Sequence, residues 1–434
     1  MKTISNKAPK WKIALMSVEA LVVALYLIVT VFYVWYKTDR NGLIKAAARS
    51  SLLRGFIENS DTAKDYEKNV QNTDFDSDKI DINEGLKGNV ETYMNIALFG
   101  IDSRGDEFDS QTHSDTIMVV SINNKTGEVK IASVFRDTML KITDTDGDVS
   151  YTKANAGFFK GGPEGAINML NTNLDLNITD YAVVNFTGLT KIIDALGGID
   201  VTISPDEMFY INGYLTETRQ ITGLDAPDLT SSGTVHLSGL QATAFCRIRY
   251  VSFTDEDGTV YNNDMGRTAR QRCVIKKIVE KAQAAGPDQV MSIVDSILHY
   301  NTEDEKIITT SFSLTEIMDL IPTVLDFKLS DSTGFPYTCA TPTINGASMV
   351  VAQGLSYNVT KLHKFLFDED NYVPSDTVQT ISDYLISYTG IPTVKLEEDE
   401  VNDIYSSDLS SGVNDDSDSD STTDSNTDAV ASSY

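Results

Sequence analysis

Carboxylates and arginines occur together at the ends of three apolar segments of the sequence. Asp102 and Arg104 follow the first segment, Asp115 begins the second, and Arg136 and Asp137 follow the third. Salt bridges within loops would explain any one of these groups. Three such groups at three successive segment ends favour a binding site, because ligands of α/β sheets bind at strand ends.

Further arginines occur in the second half of the chain. Arg247 and Arg249 alternate with apolar residues, so both point to the same side if that segment is extended. Arg267 and Arg270 are three residues apart and begin the apolar face of a helical pattern, whereas Arg272 falls outside that face. An inward-facing arginine needs a partner, because an uncompensated buried charge is costly. The partner is either a carboxylate of the protein or a bound anion.

This set of residue types suits a diphosphate held together with Mg²⁺. Guanidinium groups match phosphate oxygens two at a time, and each charged hydrogen bond contributes roughly 1.5–3 kcal/mol net. Mg²⁺ typically takes one or two carboxylates plus substrate phosphates. Such a site stabilises the charge that develops on a leaving phosphate, so phosphoryl transfer is the expected chemistry.

Other chemistries find little support in the sequence. The 4 histidines show no zinc-site spacing, and there is no GxSxG, P-loop or Rossmann motif. The 434 residues include 35 Lys+Arg and 63 Asp+Glu, for a formal net charge of −28. Binding of nucleic acid by bulk electrostatics is therefore not expected, because it needs a basic surface. A local arginine cluster can still hold a small anion.

The three cysteines, Cys246, Cys273 and Cys339, provide no disulfide framework. Two alternatives remain open: three reduced cysteines in the core, or one bridge between Cys246 and Cys273. No pair has the CxxC spacing of a metal site.

The N-terminus predicts a membrane anchor. Residues 13–36 are apolar with few exceptions and carry aromatic residues toward their far end, and about 20 apolar residues suffice to cross a bilayer. Basic residues flank the span almost equally, so charge alone leaves its orientation open. The expected organisation is an N-terminus (1–12), the anchor (13–36), a connector (37–92), a catalytic domain (93–370), an extension (371–395) and a disordered acidic tail (396–434).

Strands that alternate with helices predict an α/β fold in which helices sandwich a mixed central β-sheet. Near-continuous apolar runs predict strands over 93–101, 115–122 and 128–135, with further strands over 180–186 and 199–203. Periodicity and capping signals predict helices over 161–174, 187–198, the first part of 238–250, 264–285 and 358–367. Residues 206–235 are expected to form an irregular excursion.

The order of these motifs resembles a known family. Between Tyr93 and Ala285 the chain contains NIALFGIDSR, HSDTIMVVSI, VFRDT, KANAGF, DYAVVNFTGLTKIIDALGGIDV, LSGLQATAFCRIR and DMGRTARQR. This succession resembles the LytR–CpsA–Psr family, whose members are single-pass membrane proteins with an extracellular catalytic domain. They are implicated in moving glycopolymers from an undecaprenyl-diphosphate carrier onto peptidoglycan. The resemblance implies that the N-terminus is cytoplasmic and the catalytic domain extracellular.

The resemblance also implies roles for individual residues. Asp102 and Asp115 match the family's acids at the Mg²⁺–diphosphate site, where either could help to deprotonate the acceptor hydroxyl. Arg136 matches the arginine of the RDT motif and is expected to be catalytic. The expected contacts to the diphosphate are Arg104, Arg136, Lys153, Asn155, Arg247, Arg249, Arg267, Arg270 and Gln271.

Two positions depart from the family pattern. Phe135 stands where a proline usually precedes RDT, and this change is expected to alter only the turn. His113 stands where an arginine commonly precedes SDT, and this change is expected to weaken phosphate binding or to alter the electrostatics of the metal site.

The sequence thus predicts a membrane-anchored, Mg²⁺-dependent phosphotransferase. Its expected partners are an undecaprenyl-diphosphate-linked glycopolymer of the teichoic acid or capsular type, peptidoglycan and the membrane. One alternative is hydrolysis of the same lipid diphosphate, with water as the acceptor. Another is a non-catalytic lipid-binding or regulatory protein of the cell envelope.

Overall fold

The computed structural model describes residues 61–86, 88–102, 108, 112–284, 300–302, 306–317 and 328–396. The expected membrane span (13–36), Arg104 and the acidic tail beyond residue 396 lie outside these ranges. Within them, no helix combines the length and the apolar character needed to cross a membrane.

The secondary structure elements are numbered in chain order. The strands are β1 (Tyr93–Ile101), β2 (Ser114–Asn123), β3 (Glu128–Val134), β4 (Met139–Thr143), β5 (Val149–Lys153), β6 (Asp180–Asn185), β7 (Ile199–Ile203), β8 (Gly233–Leu237), β9 (Phe253–Thr254), β10 (Val260–Tyr261), β11 (Ile308–Thr310), β12 (Lys328–Phe335), β13 (Cys339–Ala340), β14 (Thr343–Ile344), β15 (Ala347–Ser348) and β16 (Val351–Ala352). The α-helices are α1 (Asp61–Asn69), α2 (Ala156–Leu174), α3 (Phe186–Ala195), α4 (Pro205–Thr222), α5 (Gly239–Phe245), α6 (Asn263–Ala284), α7 (Leu355–Phe367) and α8 (Asp376–Thr389).

A six-stranded mixed sheet with the order β11-β6-β1-β2-β3-β12 forms the centre of the fold. Strands β1, β2 and β3 pair antiparallel in succession, while β6 and β12 add in parallel to β1 and β3. The turn between β2 and β3 contains Gly127 at a φ of +69°, a conformation that glycine adopts without the steric cost of a Cβ. The predicted fold class, a mixed sheet with flanking helices, is confirmed.

The sheet buries apolar side chains on both faces, because successive residues of a strand point to opposite sides. Phe99 and Val119 face a large core built with helices α2, α7 and α8. Ile96 and Val129 face the other way, against Phe312. Both surfaces are buried, which explains why the sequence of these strands is almost continuously apolar.

A second core lies beyond the end of β3. Helices α3 to α6 and the antiparallel pair β7–β8 enclose it, and Phe135 joins it from the sheet. The Phe135 N–H donates to the Phe335 carbonyl over 3.0 Å. A proline at position 135 would lack this donor. Gly334 of β12 accommodates the Phe135 ring, since a Cβ there would lie 2.6 Å from it.

The prediction of an irregular segment over 206–235 is wrong, because α4 occupies its first half. Ser204 and Glu207 form a reciprocal capping box at the start of α4, and Pro205 occupies the first turn. Gly223 ends the helix at a φ of +66°. These are strong start and stop signals, so the error came from overlooking local capping chemistry.

Two smaller differences concern the helix after β5 and the cysteines. Helix α2 begins at Ala156, earlier than the predicted residue 161, and departs from helical geometry at Gly161 and Gly162. Cys246, Cys273 and Cys339 are all free. Burial raises the pKa of the Cys273 thiol to about 11, so this thiol stays protonated and unreactive at neutral pH.

Candidate active site

The ion pair between Arg136 and Asp115 is the centre of the candidate site. Asp115 lies at the start of β2, and Arg136 comes shortly after the end of β3. Because β2 and β3 are antiparallel neighbours, these two ends meet at one edge of the sheet. The distance from Arg136 Nη1 to Asp115 Oδ1 is 2.6 Å, and the side chains are 19% and 30% exposed. The pair is therefore partly accessible to a ligand.

Electrostatics keep both members of the pair ionised. Burial by itself would raise the pKa of the Asp115 carboxyl, but the charges of Arg136 and Arg267 outweigh burial and lower that pKa. The pKa of Arg136 is raised, because Asp115 and Asp264 outweigh the opposing effect of burial. At neutral pH, Asp115 is a carboxylate and a weak base.

Helix α6 and the segment before it bring two more arginines to the pair. The side chain of Arg267 is 3% exposed, and its Nη2 lies 2.9 Å from Asp264 Oδ1. The same nitrogen donates to the backbone oxygen of Asp115 over 3.4 Å. Arg249 Nε lies 4.0 Å from Asp264 Oδ1. We call Arg136, Arg249 and Arg267, together with Asp115 and Asp264, the arginine cluster.

The arginine cluster contains three arginines and two aspartates, so it carries an excess of positive charge. Burial lowers the pKa of Arg267, Asp264 only partly offsets this effect, and Arg136 and Arg249 lower the pKa further. The Nε atoms of Arg136 and Arg267 are buried and have no hydrogen-bond partner within the described chain. Mutually repelling guanidinium groups with unused donors are suited to an anionic ligand.

Arg247 extends the positive edge toward helix α4. Its Nη2 lies 2.8 Å from Glu217 Oε2. Its guanidinium packs over the rings of Phe186 and Tyr214, at 4.8 and 5.3 Å from their centroids. Burial raises the pKa of Tyr214, and both Arg249 and Arg247 act against that rise. Tyr214 is therefore within electrostatic range of Arg249 as well as in contact with Arg247.

Lys153 and Asn155 also adjoin Arg136, and their predicted contact with a diphosphate stays a prediction. Lys153 Nζ lies 3.0 Å from Asp137 Oδ1, and Asp137 Oδ2 lies 3.7 Å from Arg136 Nε. The Asn155 N–H donates to the Arg136 carbonyl over 3.0 Å. Asn155 Oδ1 is buried and accepts no hydrogen bond from the described residues.

Asp102 and Asp115 are the two carboxylates that could hold a magnesium ion shared with a ligand. Asp102 directly follows β1, and its neighbour Ile101 pairs with Ser114 on β2, so Asp102 lies beside the strand that carries Asp115. The described ranges contain no group of three His, Cys, Asp or Glu residues that could hold a metal by itself. Mg²⁺ commonly binds through one or two carboxylates and completes its shell with phosphate oxygens and water.

Arg270 does not reach the arginine cluster, contrary to the prediction. Its side chain is fully buried, and its Nη2 lies 2.9 Å from Glu207 Oε1. Its Nε donates to the same carboxylate oxygen over 3.0 Å, and its Nη1 and Nη2 donate to the backbone oxygens of Ile248, Val251 and Ser252. Of the two partners that the sequence left open for an inward arginine, Arg270 has the carboxylate, and each of its three nitrogens is bonded within the protein.

Two neighbours of Arg270 complete the description of α6. Gln271 Nε2 lies 3.5 Å from the Cys246 oxygen, and Gln271 Oε1 is buried without a partner among the described residues. Arg272 is only 4% exposed, although the helical pattern placed it outside the packed face. Its guanidinium lies 5.5 Å from the centre of the Tyr261 ring. The short strand β10 thus covers a side of the helix that the periodicity left open.

His113 makes an aromatic contact at the edge of the site. Its ring stacks on that of Phe159 from α2, with centroids 4.8 Å apart. Phe159 is 41% exposed, so the stack lies at the surface. The expectation that His113 weakens phosphate binding stays a prediction.

Three residues of the site were not anticipated from the sequence: Asp264, Tyr214 and Glu217. Asp264 lies one helical turn before Arg267, a spacing that places the two side chains on one helix face. Tyr214 and Glu217 belong to α4, the helix that was expected to be irregular. The capping box of α4 was the signal that could have revealed their position.

The chain is similar to several known proteins. The model of the LytR_cpsA_psr family matches residues 52–363. Biofilm regulatory protein A of Streptococcus mutans is 33% identical over 202 residues, which are 45% of this chain and 45% of that protein. A polyisoprenyl-teichoic acid–peptidoglycan teichoic acid transferase of Bacillus cereus is 32% identical over 204 residues, which are 47% of this chain and 57% of that protein.

The matched regions span about half the length of these two curated relatives. A protein of Streptococcus agalactiae with a solved crystal structure is similar over a longer stretch, at a TM-score of 0.50 and 25% identity. That match covers 69% of this chain and 95% of the other. The central α/β fold is therefore shared with a known structure.

Proposed function

The chain belongs to the LytR_cpsA_psr family, and we propose that it is a phosphotransferase that moves a glycopolymer from an undecaprenyl-diphosphate carrier to peptidoglycan. The observation that carries the proposal is the arginine cluster, in which three arginines act on one ionised carboxylate at a sheet edge. The name of the Bacillus cereus relative, a teichoic acid transferase, supports the reaction class. The polymer is of the teichoic acid or capsular type.

In this proposal the arginine cluster binds the diphosphate. Arg136, Arg249 and Arg267 offer guanidinium donors from three directions, and two of them have an unused Nε. Arg247 and Lys153 lie nearby, each paired with a carboxylate of the protein. Charged hydrogen bonds of this kind strengthen as negative charge builds up on the transferring phosphate, so they lower the barrier as well as bind.

The transfer step exchanges one bond to phosphorus for another. A peptidoglycan hydroxyl attacks the phosphorus that bears the polymer, and the bond to the bridging oxygen breaks. The polymer becomes joined to peptidoglycan by a phosphodiester, and polyprenyl phosphate leaves. The hydroxyl proton passes to a carboxylate of the site. Asp102 and Asp115 are the two candidates for this proton acceptor, and the arginines that lower the pKa of Asp115 make it a weak base.

Mg²⁺ is part of the proposed site, with Asp102 and Asp115 as its protein ligands. When bound there, the ion neutralises negative charge on the phosphate oxygens. Asp115 suits this role because it is ionised and partly exposed. Arg136 fixes Asp115 Oδ1 at 2.6 Å and so holds the carboxylate in place.

The location of the protein follows from the same proposal. A carrier with a prenyl chain remains in the membrane, so the enzyme has to work at the membrane surface. The apolar segment 13–36 would anchor the chain there. The catalytic domain would lie outside the cell, where peptidoglycan is found.

One experiment tests the proposal against its alternatives. The full-length protein, purified in mild detergent, is mixed with a labelled polyprenyl-diphosphate glycan and peptidoglycan, with and without Mg²⁺. We expect the label to appear on peptidoglycan only when Mg²⁺ is present. Free phosphorylated glycan would indicate hydrolysis instead. Tight binding without turnover, in protein shown to be folded, would contradict both enzymatic functions and favour a regulatory one.

A further inference from the structure

An open pocket of about 540 Å³ lies toward the end of the sheet that is opposite to the arginine cluster. Strand β3 joins the two places: Lys130 lines the pocket and precedes Arg136 by six residues, which is roughly 20 Å of extended chain. Helix α7 packs on β3 and forms one wall. We call this cavity the lysine pocket, and its charged lining residues are Lys130, Lys361, Lys364, Asp331 and Asp368.

The three lysines differ in how well they are paired. Lys130 is the innermost, with a side chain that is 10% exposed and an Nζ 2.6 Å from Asp368 Oδ1. Lys364 lies farther out, and its Nζ is 3.2 Å from Asp370 Oδ1 in an exposed pair. Lys361 forms no ion pair with any carboxylate in the described ranges and is half-buried. The lining therefore holds three lysines against two aspartates, in a chain with a formal net charge of −28. A local excess of positive charge in so acidic a protein suits an anionic occupant.

The C-terminal segment of the described chain enters this pocket. Leu396 is one of the lining residues. Its N–H donates to the Tyr357 hydroxyl over 2.9 Å, and the Val394 N–H donates to the Gln353 carbonyl over 3.2 Å. Lys361 Nζ lies 5.7 Å from the centre of the Tyr357 ring. The backbone at Leu396 is therefore held beside Lys361.

The residues that follow Leu396 carry the charge that the pocket calls for. They are Glu397, Glu398, Asp399 and Glu400, four carboxylates in succession. Tyr357, Lys361 and Lys364 share one face of α7, because they are spaced by four and three residues. That face measures about 10 Å from Tyr357 to Lys364, whereas four extended residues reach about 13 Å. Both lysines of α7 are thus within reach of the acidic segment.

We propose that the lysine pocket is the docking site of the acidic segment 397–400 of the same chain. Its carboxylates pair with Lys361 and Lys364 and so fasten the first part of the acidic tail to the domain. The segment is linked directly to a residue of the pocket, which gives it an effective concentration on the order of millimolar and an advantage over free anions. Docking closes these lysines to other polyanions. The inference does not depend on the proposed function, because the pocket is separate from the arginine cluster.

The test measures how fast single lysines react in the full-length protein, purified in mild detergent. The protein is treated with N-hydroxysuccinimidyl acetate, and acetylation of each lysine is followed by mass spectrometry. In the variant E397Q/E398Q/D399N/E400Q we expect Lys361 to react about three- to fivefold faster, an effect of the size that exposed ion pairs give. The physical reason is that carboxylates no longer shield its amine.

Two controls accompany this variant. D415N/D416N/D418N/D420N removes the same charge farther along the tail and should leave the rate at Lys361 unchanged. Lys281 of α6, whose Nζ lies 3.4 Å from Asp200 Oδ2, is the internal reference and should react equally in all three proteins.

Equal rates at Lys361 in the native protein and the first variant would overturn the proposal. Equal acceleration by both variants would also overturn it, because net charge alone would then explain the effect. Protection of Lys361 that fades on dilution would assign the tail to a second copy of the chain. Slower acetylation of native Lys361 after addition of a polyol-phosphate oligomer would show a pocket open to free polyanions, which contradicts docking.

A second measurement detects the contact itself. In monomeric protein, a carbodiimide should form an amide crosslink between Lys361 or Lys364 and the segment 397–400, because it joins amines to carboxylates that are already in contact. About 1 M salt should abolish this crosslink, since the screening length then falls to about 3 Å. A crosslink of these lysines to other parts of the tail, in place of 397–400, would overturn the proposed register.

Discussion

Helix α6 presents two arginines, one helical turn apart, to two different environments. Arg267 belongs to the arginine cluster, where it repels two other arginines and keeps a donor without a partner. Arg270 is enclosed beside Glu207, and three backbone oxygens take its other donors. The same side chain on the same helix is therefore fully paired at one position and retains an unused donor beside excess positive charge at the other. Unused donors and excess positive charge, rather than burial, distinguish the position proposed to bind the diphosphate.

The largest expected effect concerns the enclosed arginine. Glu207→Gln removes the charge that balances Arg270 and should lower the free energy of unfolding by about 3–5 kcal/mol. Glutamine retains the ability to cap α4, so the loss reports on the ion pair. Chemical denaturation followed by circular dichroism measures it. A loss below about 1 kcal/mol would show that the backbone oxygens alone compensate Arg270.

The next effect concerns the open cluster and appears in activity instead of stability. Arg136→Ala should lower kcat/KM for polymer transfer about a hundredfold, since it removes charged hydrogen bonds to the phosphate. The free energy of unfolding should change by less than about 1 kcal/mol, because the pair is partly exposed. Arg219→Ala, which breaks exposed ion pairs on α4, is the control and should leave transfer unchanged. Normal turnover in Arg136→Ala would remove Arg136 from the mechanism.

A third prediction uses pH to test the ion pair between Asp115 and Arg136. The pKa of Asp115 is lowered in the folded state, so its ion pair contributes stability that is present above the unfolded pKa of about 3.9. This contribution is lost as the pH falls through the lower folded value. The stability difference between native protein and Asp115→Asn should therefore be constant above about pH 5 and shrink below about pH 4. Denaturation curves measured across this pH range test the prediction. A stability difference that does not depend on pH would contradict the lowered pKa of Asp115.

The smallest effect is expected at the edge of the cluster. The ion pair of Arg249 is loose, because its Nε lies 4.0 Å from Asp264 Oδ1, and the Arg249 side chain is about one-third exposed. Arg249→Ala should change the free energy of unfolding by no more than about 0.5 kcal/mol. The KM for the lipid substrate should rise roughly tenfold through the loss of one charged contact. Steady-state kinetics over a range of lipid concentrations would show this, and an unchanged KM would limit the diphosphate site to Arg136 and Arg267.

Much of the fold could be predicted, because its signals are local. The three apolar runs that predicted β1 to β3 match the observed strands to within one residue. The Ser238 capping box that starts α5 was also visible in the sequence. Helix α4 was missed although its capping box is equally local. The omission mattered because α4 supplies both Glu207 to Arg270 and Glu217 to Arg247.

The sequence by itself determined the residue types of the site, their places at strand ends and the helix face shared by Arg267 and Arg270. Helical periodicity shows which residues share a helix face, but it does not show which residues pack against that face. Only the tertiary structure placed Glu207 against Arg270. It also placed Asp115, at the end of the sheet, against Arg267. It further stacked Tyr384 of α8 on Tyr151 of β5. These contacts join residues far apart in the chain, and packing of whole elements, rather than local propensity, sets them.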